Sequence, residues 1–108
     1  MNNLEKLMKR IDDFNKERDW DQFHSPANLS KSISIEAGEL LECFQWNDND
    51  YNKKDVEEEL ADVLNYCLQI CNVLNLNPIE IVNNKIDLNE KKYPIDKFKG
   101  ISTKYNKI

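Results

Sequence analysis

Asn52-Lys53-Lys54-Asp55-Val56-Glu57-Glu58-Glu59-Leu60-Ala61-Asp62-Val63-Leu64-Asn65-Tyr66-Cys67-Leu68-Gln69-Ile70-Cys71-Asn72-Val73-Leu74 is the stretch that decides the fold. Placed at about 100° per residue, Val56, Leu60, Val63, Leu64, Cys67, Ile70, Cys71 and Leu74 recur at three- and four-residue steps. That is the period of a helix and not of a strand. Beyond Leu60 nearly every side of this helix carries an apolar residue, so it is expected at the centre, contacted from more than one side. The chain has 108 residues with only two glycines and three prolines. So little turn punctuation excludes a fold of many short strands.

Working outward, Asn77-Pro78-Ile79-Glu80 reads as a cap, a first-turn proline and a capping-box glutamate. It opens a helix to about Lys91 with Ile79, Val82 and Ile86 inward. In the other direction, Asn47-Asp48-Asn49-Asp50 is a polar break. Before it a helix runs from Ser25-Pro26 to about Gln45, its buried face made of Leu29, Ile33, Ala37, Leu40, Leu41 and Phe44. A further helix spans about Asn3 to Arg18 on the stripe Leu4, Leu7, Ile11 and Phe14. Asp19 to His24 is expected to be part helix, part loop. The expectation is one all-α, four-helix domain over residues 1–94, followed by a loose lysine-rich tail over 95–108. A core this thin makes association of copies expected.

Twenty acids against fifteen bases give a net charge of −5. That argues against a nucleic acid polymer as partner, because phosphate backbones call for a basic face. No run approaches the roughly 18 apolar residues of a membrane span, and there is no signal-peptide core, so no membrane partner is expected. Cys43, Cys67 and Cys71 are odd in number and lie within apolar stretches, as free thiols of a reducing compartment do, which places the chain in the cytoplasm. Cys67-x3-Cys71 with the lone His24 is a poor zinc set.

The helical projection also puts carboxylates where apolar surface should be. Glu36 falls inside the stripe of Leu29, Ile33 and Leu40, with Glu39 at its edge. Glu59, Asp62 and Tyr66 share a side flanked by Val63, Ile70 and Val73, whereas Glu57 and Glu58 point to solvent. A carboxylate in apolar surroundings takes up a proton or a cation. Two i,i+3 acid pairs on two helices fit a hard divalent cation, Mg²⁺, which prefers oxygen ligands and leaves room for substrate phosphates. The plainer reading pairs each acid with a lysine at a helix edge. Gly38, costing about 1 kcal/mol relative to alanine in mid-helix, either admits a close neighbour or is merely tolerated.

Lys85, Asn89 and Lys92 recur at i,i+4,i+7 as either a solvated face or a cationic rail for phosphate oxygens. Trp20, Phe23, His24 and Trp46 flank the second helix, as core or as the walls of a base-stacking pocket.

Glu36-x2-Glu39 followed by Glu59-x2-Asp62 resembles the signature of the all-α, MazG-like nucleoside triphosphate pyrophosphatases. Arg18-Asp19-Trp20-Asp21-Gln22-Phe23-His24, Glu36-Ala37-Gly38-Glu39-Leu40, Phe44-Gln45-Trp46, Glu58-Glu59-Leu60-Ala61-Asp62-Val63 and Lys85-x3-Asn89-x2-Lys92-Tyr93-Pro94 resemble its dCTP pyrophosphatase branch in type and order. The likeness covers roughly residues 4–94, and the tail after Pro94 departs from it. The resemblance implies a homodimer or homotetramer whose association completes the four-helix bundle. It implies Mg²⁺, with Mn²⁺ as a substitute, on Glu36, Glu39, Glu59 and Asp62. It also implies base recognition by Trp20, His24 and Trp46, and phosphate or sugar contacts from Tyr66, Lys85, Asn89, Lys92 and Tyr93.

The implied reaction is attack of water on the α-phosphorus of a nucleoside triphosphate, releasing monophosphate and pyrophosphate. Its implied place is nucleotide-pool house-cleaning, with dCTP or a modified pyrimidine nucleotide as substrate. Which of the four acids orients the water is left open, Glu39 being the first choice. A dUTP-preferring or broad-range pyrophosphatase is the enzyme alternative. A non-catalytic helical interaction module, which would release no pyrophosphate, is the other.

Overall fold

Asparagine and serine side chains start each of the long helices. Asn2 Oδ1 accepts the N–H of Glu5 at 2.8 Å to begin α1, Asn3–Glu17. Ser25 Oγ accepts the N–H of Asn28 at 3.1 Å to begin α2, Pro26–Glu42. Asn52 Oδ1 does the same for Asp55 at the start of α3, Lys53–Leu74. Asn77 Oδ1 accepts from Ile79 and Glu80 at the head of α4, Pro78–Lys92. Such caps satisfy donors that a helix cannot satisfy internally. The capping box expected at Asn77 is only half made: its side chain accepts, but the carboxylate of Glu80 returns no bond.

The structure, a computed structural model, describes residues 1–102. Among them there are helices and no strands, so the fold is all-α. The helix bounds follow the sequence closely, with one shortening. α2 stops at Glu42, and the N–H groups of Cys43, Phe44 and Gln45 bond three residues back in a tightened last turn. Tilted stacking of Phe44 on Tyr51 (4.9 Å between centroids) closes the link to α3. Asp21–Phe23 form a 3₁₀ turn.

The tail differs from expectation at its start. Ile95–Phe98 make one further helical turn, α5, because the carbonyl of Pro94 accepts from both Lys97 and Phe98. Phe98 then meets the Tyr93 ring edge-on at 4.9 Å. Residues 103–108 of the expected loose tail lie outside the described residues.

The chain divides into two compact units, Met1–Leu76 and Asn77–Ile108. The break follows Asn75, whose left-handed backbone (φ 55°) ends α3. In the first unit α3 packs mainly on α2 and less extensively on α1. The expected central place of α3 is therefore met. The expected core is not closed, however. Among the described apolar residues only Leu29 (0% exposed) and Cys71 are buried, while Leu41 is 70% exposed and Leu7, Phe14, Leu60 and Leu64 are also open. Three helices of one chain cover one side of each apolar stripe and leave the other uncovered. In the second unit Ile79, Val82 and Ile86, expected inward, are likewise exposed. Among the described residues no helix is long and apolar enough to cross a membrane.

Candidate functional site

Helical spacing places Glu36 and Glu39 one turn apart on α2, and Glu59 and Asp62 one turn apart on α3. Because α2 and α3 form the main helix pair, the two acid faces meet. One carboxylate oxygen from each of Glu36, Glu59 and Asp62 lies within 4.8 Å of the others. Glu39 is within hydrogen-bonding reach of both Glu36 and Glu59. Glu36, Glu59 and Asp62 therefore converge, and Glu39 adjoins Glu36 and Glu59.

The electrostatic consequence is large. Glu36 is pushed up to about 7, first by its hydrogen bond with Glu39, then by burial and by the charges of Glu39, Asp62 and Glu59. Glu59 is also raised, by burial first and then by Glu39. Like charges this close cannot all ionise at neutral pH without compensation. None of the ion pairs Lys9–Asp13, Lys16–Asp12 and Arg18–Glu17, all on or at the end of α1, involves these four acids.

These residues fit a hard divalent cation. Glu36 Oε2 and Glu59 Oε2 are buried and have no hydrogen-bond partner. Buried polar atoms without partners are rare because they are costly. The donors are all carboxylate oxygens, the set that Mg²⁺ or Mn²⁺ takes and that soft metals do not. The potential metal cluster among the described residues is made of carboxylates alone. Cys43, one turn beyond Glu39, borders the acids; burial first, then the charges of Glu59 and Asp55, raise its thiol.

The other singled-out residues occupy separate places. Trp20 meets Phe14 edge-on at 5.7 Å, and the Arg18 guanidinium lies 3.7 Å over that Phe14 ring. His24 is half-buried beside Asp12, Asn15, Gln69 and Asn72. Trp46 is 89% exposed after the last turn of α2. The single chain makes no common ring cluster of Trp20, His24 and Trp46. Tyr66 is half-buried on α3, one turn past Asp62. Lys85, Asn89 and Lys92 lie along α4, and Tyr93 ends it, its N–H bonded to the Asn89 carbonyl at 2.8 Å. Around Gly38, no atom beyond its own helix backbone and chain neighbours comes within 4 Å of where a Cβ would stand, so this chain makes no close approach there.

The helical projection missed two buried amides, Asn15 and Gln69, bonded to each other at 3.1 Å. The signal was present, since Asn15 sits beside the stripe of Ile11 and Phe14. A neutral amide there is as readily solvated, and only a partner on another helix distinguishes the two cases.

Residues 31–108 match the MazG-like family. The chain is similar to dCTP pyrophosphatase 1 of Mus musculus, 32% identical over 114 residues, covering 97% of this chain and 67% of the relative. The Homo sapiens protein of that name gives the same identity and coverage. A crystallographically determined pyrophosphatase from Archaeoglobus fulgidus superposes with a TM-score of 0.78 at 42% identity, over 87% of this chain and 94% of that one. A family match over more than half the sequence and a shared fold at this identity agree, and the chain belongs to the MazG-like family.

Proposed function

We propose that the chain is a Mg²⁺-dependent nucleoside triphosphate pyrophosphohydrolase, converting dNTP and water to dNMP and pyrophosphate, with dCTP or a modified pyrimidine nucleotide preferred. The observation that carries this is the convergence of Glu36, Glu59 and Asp62 within 4.8 Å, with two buried carboxylate oxygens left unpartnered. The pyrimidine preference is supported by the dCTP pyrophosphatase relatives. A cytoplasmic role in nucleotide-pool house-cleaning goes with it, supported by three unpaired cysteines.

Glu36, Glu39, Glu59 and Asp62 would hold the cation. Bound Mg²⁺ supplies charge neutralisation at phosphate oxygens and makes a coordinated water more acidic. The carboxylates do the rest of the work on the α-phosphorus side. Glu39, more exposed than Glu36, orients the attacking water and accepts its proton as the α–β phosphoanhydride bond breaks. Lys85 and Lys92 balance the charge of the departing pyrophosphate, and Asn89, Tyr66 and Tyr93 hold phosphate or sugar. Trp20, His24 and Trp46 contact the base by stacking and hydrogen bonding.

A homodimer or homotetramer is part of this reading. The exposed apolar residues of α2 and α3, and separately those of α4, support it, because large exposed apolar area marks an interaction face. A second copy would also supply the enclosing walls for Trp46 that one chain lacks.

A panel of purine and pyrimidine triphosphates, with pyrophosphate release measured with and without EDTA, tests the proposal. Magnesium-dependent release that is fastest with dCTP or its modified forms supports it. Equal turnover of purines and pyrimidines removes the pyrimidine preference, and release from none removes the enzyme.

A further inference from the structure

Asn15 and Gln69 are the two buried polar residues of the described chain, at 6% and 7% exposure. Asn15 Nδ2 donates to Gln69 Oε1 at 3.1 Å, and Gln69 Nε2 donates to Asn65 Oδ1 at 3.0 Å. One turn further along α3, Asn72 Nδ2 donates to the Met8 carbonyl of α1 at 3.0 Å. This amide file joins α1 to α3 directionally, whereas the apolar contacts around it would tolerate sliding.

Asn15 has a second task. Its main-chain carbonyl accepts the N–H of Trp20 at 2.9 Å and of Arg18 at 3.3 Å. Between them Asp19 takes a left-handed conformation, φ 55°, its carbonyl and carboxylate accepting from Gln22. The turn that reverses the chain after α1 is therefore folded onto Asn15, whose side chain is tied to α3. At the far end of that turn His24, with Asp12, Asn15, Asp21, Gln69, Asn72 and Val73, lines a cavity of about 20 Å³. Four of those groups are the amides and the imidazole themselves.

We propose that Asn15 and Gln69 are positioning residues, which set the place of the Arg18–His24 segment, and so of Trp20 and His24, against the helix that carries Glu59 and Asp62. What that segment contributes, contact with the base, rests on the function proposed above. A residue that places a binding element without touching the phosphate chemistry acts on KM and leaves kcat alone.

The test uses His24, the single histidine of the chain, as a probe by selective ¹⁵N labelling. The double variant Asn15→Leu/Gln69→Met replaces both partners by apolar groups, so that neither amide is left buried and unbonded. We expect it to fold and to keep the parent's Mg²⁺-induced rise in melting temperature. Its His24 signals shift or broaden, and KM for the preferred triphosphate rises about tenfold with kcat within about twofold. The swapped pair Asn15→Gln/Gln69→Asn, which restores two facing amides, returns KM and the His24 signals toward the parent. If the apolar pair does not fold, Gln69→Asn alone, too short to reach Asn15, gives the same readings. Parent-like His24 signals and KM in a folded variant overturn the proposal, as does a fall in kcat with KM unchanged. If the parent turns over no nucleotide, the proposed function fails, and the His24 signals decide the positioning claim by themselves.

Discussion

Glu36 on α2 and Glu59 on α3 bring carboxylate oxygens within 4.8 Å of each other, and each keeps one buried oxygen without a hydrogen-bond partner. Neither helix alone contains this relationship. It arises where their acid faces meet, and it crowds like charges in the metal-free protein.

Mg²⁺ at millimolar concentration is expected to raise the melting temperature, because it binds the folded cluster and not the unfolded chain. Differential scanning fluorimetry with Mg²⁺, Mn²⁺ and EDTA reads this directly. An unchanged midpoint in both metals would contradict the site.

Glu39→Gln is expected to lower pyrophosphate release by at least about a hundredfold. The metal-free variant should melt at the parent's temperature or above, since one repelling charge is gone. A strongly destabilised metal-free variant would instead mark Glu39 as part of a structural ion pair.

The metal-free protein should lose stability as pH rises from about 4.5 to about 7. Glu36 titrates near 7 in the folded chain against an ordinary value of 4.5. The folded state therefore holds the extra proton in that interval, and stability present below 4.5 is lost as pH climbs through 7. Mg²⁺ affinity should rise over the same interval, because the cation displaces that proton. Melting curves from pH 5 to pH 8 in EDTA, repeated in Mg²⁺, check both signs. A metal-free midpoint that increases toward pH 8 would contradict the coupling.

Leu29→Ala should destabilise the fold by about 2–5 kcal/mol, the range for a fully buried leucine, since Leu29 is 0% exposed. The exposed Leu41→Ala should cost far less to an isolated chain. Urea unfolding of the two variants in EDTA compares them. If Leu41→Ala proves equally costly, that side chain is covered by another copy.

Light scattering coupled to size-exclusion chromatography should give a mass of two or four chains. The open faces of α2, α3 and α4 leave Ile35, Leu41, Leu64, Ile79 and Val82 too exposed for a stable single chain. A monomer at micromolar concentration would sink the oligomer reading.

Much of this was legible without coordinates. The three- and four-residue apolar steps located α1 to α4, and Ser25-Pro26 and Asn77-Pro78 marked where helices start, because both signals are local. The acid pairs could be placed on one face of each helix for the same reason, since i and i+3 lie one turn apart on any helix. The short helix at Ile95–Phe98 was not legible: it depends on the Pro94 carbonyl and on Phe98 finding the Tyr93 ring, with no periodic stripe to announce it.

By itself the sequence determined that this protein is helical, where its helices begin, and which faces of α2 and α3 carry acids. Only the tertiary structure decided that those faces meet and that Asn15 pairs with Gln69, 54 positions away. The physical reason is that backbone geometry fixes angles within one helix, whereas the choice of which faces pack depends on burying apolar area shared between helices, a quantity no single segment contains.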